Sequence, residues 1–200
     1  MKVLVIGATG TVGAAVARAL HPSHQVVAAS RNGPLRIDLE QPASMEALFA
    51  DVPELDAVVC CAAGGPLVDL ASVTDEAFAD GIRGKLLGQV ALARRAVHHL
   101  RVGGSVTLTG GTFSAPLPGG SLGALINSGL AGFVRNAAAE LPRDIRLNLV
   151  SPGWITETLE DLGPAGAELA NGALGTPAST VAQAYVRVVE GAMSGQVIHP

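Results

Sequence analysis

Charge is missing where chemistry would call for it. Between Arg101 and Arg135 there is no Asp, Glu, Lys, Arg or His, and no Cys or Tyr. The whole chain is similarly sparing: of its 200 residues only 15% are charged, and it holds one Trp, one Tyr and two Cys. Each scarcity excludes something. A net charge of −4 leaves no basic footprint for nucleic acid. Cys60 and Cys61 are adjacent, and neighbours on a strand point to opposite faces, so they are poor disulfide partners. A reducing cytoplasm is the expected setting. No Cys/His spacing reads as a metal site. The first apolar run, Val3 to Ile6, is too short to cross a membrane and stops at a glycine loop, not a cleavage site. A small molecule is left as the expected partner, with neither nucleic acid nor membrane.

What is present is apolar residues, 48% of the chain, and glycine, 25 residues. That composition suits one globular domain over residues 1–200 with tight helix–strand packing. Buried strands are expected at Lys2–Ile6, Gln25–Ala29, Leu35–Leu39, Asp56–Cys61, Ser105–Thr109, Ile145–Val150 and Gln196–Ile198. Helices are expected at Gly13–Leu20 and Ser44–Ala50, then from a Thr74 cap to Leu100. Two more should run from Ser121 to Leu141 and from Thr176-Pro177 to Glu190. Residues 154–176 leave room only for a small lid. Strands alternating with helices imply a doubly wound parallel sheet, an α/β Rossmann fold, with ligands at the carboxyl ends of the strands.

The first such end reads Gly7-Ala-Thr9-Gly10-Thr11-Val12-Gly13. Gly7 permits the sharp turn, Gly10 lets backbone amides approach a pyrophosphate, and Gly13 lets helix and strand pack closely. The helix N-terminus adds free N–H groups and partial positive charge. The second strand runs into Ser30 and Arg31, where a site preferring NAD would place an acid. A hydroxyl and a guanidinium suit a 2′-phosphate, which favours NADP over NAD. Asp38 is placed to accept from an adenine amino group, or to cap the turn toward Ser44.

On these residues the chain resembles the short-chain dehydrogenase/reductase family over nearly its whole length. "DAVVCCAA" is similar to the fourth strand and the turn after it, which brings Cys61 and Ala62 to the cofactor. "GSVTLTGG" resembles the strand bearing the catalytic serine, and "GLAGFVRNAAAEL" the helix after the Tyr-x-x-x-Lys motif. "IRLNLVSPGWITET" resembles the sixth strand and its Pro-Gly loop. There Pro152, Gly153, Trp154, Ile155 and Thr156, with Thr158 nearby, are expected at the nicotinamide. The glycine spacing, Gly-x-x-Gly-x-x-Gly, departs from the commoner Gly-x-x-x-Gly-x-Gly. The resemblance implies strand order 3-2-1-4-5-6-7. It also implies a homodimer or homotetramer joined through the long helices 74–100 and 121–141.

The family's catalytic set is not here. The serine position falls on Gly111, the tyrosine on Gly123, the lysine on Asn127, and the helix asparagine on Lys85. Tyr185, in the last helix, does not match the motif. Lys85 and Asn127 look like an exchange of two roles. Lys85 is the one ammonium expected near the nicotinamide, either binding ribose hydroxyls or donating a proton at a pKa lowered by burial. The other reading is a lysine whose stem packs while its head stays in water. Thr109, Thr112 and Ser114 are the hydroxyls on hand to polarise a carbonyl. His98 and His99 suit a helix C-terminus, and His199 suggests no catalytic partner. The expectation is an NADP-dependent oxidoreductase with an atypical centre. The alternative is a silent NADP-binding redox sensor or partner-binding protein. An epimerase-like enzyme would usually carry a second substrate domain, which is lacking.

Overall fold

Short Val/Ile/Leu/Ala runs form strands covered on both faces. In the computed structural model, which describes residues 1–65 and 67–200, these are β1 (Lys2–Ile6), β2 (Gln25–Ser30), β3 (Leu35–Arg36) and β4 (Leu55–Cys60). They continue as β5 (Leu100–Thr109), β6 (Arg146–Val150) and β7 (Val197–Ile198). All pair in parallel, in the order β3-β2-β1-β4-β5-β6-β7. Helices α1 (Thr11–Leu20) and α8 (Ala178–Glu190) cover one face, packing on Val3, Val5, Ala57 and Val59. On the other face lie α2 (Pro42–Asp51), α4 (Gln89–His99) and α5 (Ser121–Ala137), over Leu4, Ile6, Val58 and Leu108.

Beyond shifts of a residue or two at element ends, the expected segments differ from the observed ones in four places. The third strand is two residues long, because Asp38 turns away: its N–H donates to Ser44 Oγ at 2.9 Å. The fifth begins at Leu100, directly after α4. A break in register between Leu55 and Ala57, with Gly103 at φ +74°, absorbs the extra residues. The helix from Ser121 ends at Ala137 rather than Leu141. The long helix from Thr74 is three pieces: α3 (Asp75–Ile82), a π-helical turn (Arg83–Gly88) and α4. Thr74 caps it as expected, its Oγ1 accepting from the Ala77 N–H. The segment after β6 holds two short helices, α6 (Thr156–Asp161) and α7 (Pro164–Ala170). Among the described residues no helix is long and apolar enough to cross a membrane.

Candidate functional site

The glycine loop sits between β1 and α1 with geometry that other residues would not tolerate. Gly7 has φ +79°, and a Cβ there would lie 2.8 Å from the Ala62 nitrogen. A Cβ on Gly13 would lie 2.0 Å from the Gly7 carbonyl oxygen, so strand and helix meet only because both are glycine. At Gly10 a Cβ would find ordinary contact, 3.5 Å from Gly7 O. Gly10 is instead the N-cap of α1, with no side chain capping it. The first-turn N–H groups therefore face the cleft without a protein acceptor, as an anion seat requires.

Two cavities open along the carboxyl edge. One, of about 410 Å³, is bordered by Gly7, Thr9, Ser30, Arg31, Asp38 and Ala62. Ser30 Oγ is buried there without a hydrogen-bond partner. Arg31 is exposed and forms no ion pair among the described residues. Asp38 Oδ1 accepts from the Glu40 N–H at 3.0 Å. The other cavity, of about 510 Å³, is bordered by Thr11, Val12, Gly111, Asn127, Pro152, Gly153, Trp154, Ile155 and Thr158. Gly10, Cys61 and Lys85 border both, so the two form one cleft. Thr156 borders neither; its N–H is tied to the Thr176 carbonyl at 3.1 Å.

Lys85 stands at the junction because of the π turn. That turn places one extra residue in the helix, a device frequent at functional sites. The opened ladder is closed by Gln89, whose Nε2 donates to the Lys85 carbonyl and to Thr109 O, both at 2.9 Å, while its Oε1 accepts from the Thr109 N–H. The sequence reading passed over Gln89, yet it fixes the end of β5 against the helix. Burial lowers the Lys85 pKa to about 8.

Thr109 borders the larger cavity, and its hydroxyl is engaged in hydrogen bonds within the protein. It donates to Cys60 O at 2.5 Å and lies 2.7 Å from the Tyr185 hydroxyl, both buried. Tyr185 on α8 is fully buried, on the far face of the sheet from α5. Burial pushes Tyr185 well above its ordinary pKa, Cys60 up to about 12, and Cys61 upward too. None of them is a proton source near neutral pH. Thr112 Oγ1 lies 3.0 Å from both Ser151 Oγ and His199 Nδ1.

The glycines at the serine and tyrosine positions do not leave empty space. A Cβ on Gly111 would lie 3.1 Å from Asn127 Nδ2, and one on Gly123 would lie 3.2 Å from the Phe113 ring. Asn127 and Phe113 have moved into the volume those side chains would take. Asn127 Oδ1 is buried with no partner. Within such a cleft, an orphaned acceptor marks a place where a ligand donor fits. Ser30 Oγ and the uncapped α1 terminus make the same case, so the residues present fit a dinucleotide.

Known proteins agree with this geometry. The family model described as enoyl-(acyl carrier protein) reductase matches residues 7–184. The crystal structure of the protein lin1944 from Listeria innocua is 33% identical, covers 100% of this chain and 98% of its own, and superposes with a TM-score of 0.94. A small-chain dehydrogenase in complex with NADPH is 27% identical, covers 100% and 96%, and gives 0.88. A dehydrogenase/reductase from Sinorhizobium meliloti, at 22% identity and 0.82 over 99% and 92%, shares the fold. Among curated proteins there is no significant match. The family match runs from the glycine loop through β2 to β6 and into α8, and this chain belongs to the short-chain dehydrogenase/reductase family.

Proposed function

We propose that this protein is an NADPH-dependent oxidoreductase reducing a carbonyl group, with Lys85 as its proton donor. The observation that carries the reading is the place of Lys85: the one charged residue bordering the larger cavity among the described residues, and partly desolvated. A bound dihydronicotinamide supplies hydride to the carbonyl carbon. The protein's part is the proton, which Lys85 Nζ gives to the carbonyl oxygen and regains from water. Asn127 Oδ1 accepts from a ribose hydroxyl. The α1 terminus holds the pyrophosphate, and Ser30 with Arg31 takes the 2′-phosphate. Support for NADPH is the orphaned Ser30 hydroxyl and the unpaired Arg31, together with the NADPH bound by the small-chain dehydrogenase. We assign the same two residues the choice between cofactors. Titration with NADPH and NADH should show tighter binding of NADPH, and Arg31→Asp should remove most of that preference. Equal binding of both by the native protein would sink the assignment.

A second reading has its own observation. Phe113 and Asn127 fill the places of the tyrosine and serine side chains, as in a pocket that binds without reacting. Tight NADPH binding with no oxidation across aldehydes, ketones and quinones would favour this silent, sensor-like role. We also propose that two copies pair through α3–α4 and α5.

A further inference from the structure

The larger cavity is walled mainly by apolar and aromatic side chains, with Thr and Asn as its neutral polar groups. Phe113 closes on Gly123, and its ring centroid stands 6.2 Å from that of Trp154, with the planes tilted by 44°. The pair forms an open wedge rather than a stack. Leu67 and Leu162, exposed at 44% and 48%, carry the apolar wall out to the mouth. Apart from Lys85, no charged residue borders the cavity among the described residues. A carboxylate or phosphate on a substrate would find no second cation there.

The mouth goes further than neutrality. From residue 147 to 186 the chain has no Lys or Arg, and it carries Glu157, Glu160, Asp161 and Glu168 on α6 and α7. Glu157 is occupied, accepting from the Ala178 N–H at 2.9 Å. Glu160, Asp161 and Glu168 are exposed and form no ion pair among the described residues. Leu162, the residue after α6, and Leu169 of α7 border the cavity, so these carboxylates belong to the same segment as its apolar wall. Unpaired negative charge on that segment lowers the local concentration of anions and slows their approach.

We propose that the site takes a small, neutral, conjugated carbonyl compound, an aromatic aldehyde or quinone in class, and rejects anionic or carrier-linked acyl substrates. The proposal rests on the NADPH reading above. A planar ring fits the Phe113–Trp154 wedge, where aromatic contacts add to simple burial. The carbonyl is reduced as already described: its π bond breaks, C–H and O–H bonds form, and NADPH is oxidised to NADP.

The test uses the protein with NADP bound, where an aldehyde binds without turnover. Calorimetric titration with naphthaldehyde is compared with formylnaphthoate, which adds one carboxylate, and with an acyl-coenzyme A thioester. Naphthaldehyde should bind tighter than either anion by about tenfold or more, with the gap shrinking at high salt. The variant E160K/D161K/E168K should close the gap by tightening the anions. Phe113→Ala should weaken naphthaldehyde by between about two- and tenfold; Phe113→Leu, which keeps most of the volume, checks that the loss is aromatic and not misfolding. Anions binding as well as or better than naphthaldehyde would overturn the proposal, as would naphthaldehyde failing to bind beside NADP. Absence of NADP binding, seen in the first titration, would defeat the cofactor reading and this one with it.

Discussion

Lys85 carries the pH dependence of the proposed chemistry. Burial has brought its pKa to about 8, so its ammonium is present below that pH and lost above it. A donor that must be charged gives kcat/KM for reduction that is level up to about pH 8 and falls beyond. Lys85→Met should erase this limb and lower kcat/KM by roughly 10²- to 10⁴-fold. Lys85→Arg, which stays charged, should move the limb out of the measurable range. A Lys85→Met protein with the native profile and rate would leave the lysine with only a packing role. Lys85 was legible in the sequence because it is one of two lysines and falls at a position with a known role in the family. The hydrogen bonds of Thr109 were not: which partners a strand hydroxyl finds depends on what waits on each side. Here the Cys60 carbonyl and Tyr185, 76 residues further along the chain, hold it. Phe113 went unnoticed for a related reason, since only the packing of the loop onto α5 reveals that it stands over Gly123.

Among the elements, the glycine loop was readable residue by residue and the π turn was not. The loop is largely local: Gly7 needs its positive φ and Gly13 meets the Gly7 carbonyl, though Gly7 also packs against Ala62 after β4. Its second and third glycines should respond differently to alanine. At position 13 the added methyl would meet the Gly7 carbonyl at 2.0 Å. Gly13→Ala should therefore destabilise the fold by about 1–3 kcal/mol or more, as overpacking does, and lose cofactor binding with it. At position 10 the nearest atom is 3.5 Å away. Gly10→Ala should melt close to the native temperature yet bind NADPH more weakly, because the methyl stands where the pyrophosphate approaches. Thermal melts and a cofactor titration on both proteins check this, and an unstable Gly10→Ala or a sound Gly13→Ala would contradict it. The π turn had no such local signature. Residues 74–100 keep a continuous helical pattern, and the register slip is stabilised by Gln89 bonding to β5, a contact across 20 residues. Strand ends missed for the same reason: β3 stops where Ser44 captures the Asp38 amide, and β5 starts early because α4 leads straight into it.

Across the whole molecule, the two covered faces followed from alternation and the sheet order from the family resemblance, and what remains is the outer surface of α5. Its buried side shows Leu122, Ile126, Leu130 and Val134. The outward side is uncharged until Arg135 and made of small residues, with Leu125 exposed at 48% and open space around Gly132. On the neighbouring π turn Leu87 is exposed at 54%. A helix face without charge or bulk lets another backbone approach closely, and apolar area removed from water there contributes about 25 cal/mol per Å². A two-fold contact would bring the same face of each copy together. Sedimentation at micromolar concentration should therefore give a dimer or tetramer, and Leu125→Glu, which places like charges at the proposed seam, should shift it to monomer. Because α5 also holds Gly123 and Asn127 at the cleft, that monomer should bind NADPH more weakly than the native assembly. A native protein that sediments as a monomer, or an assembly untouched by Leu125→Glu, would rule out pairing through this face.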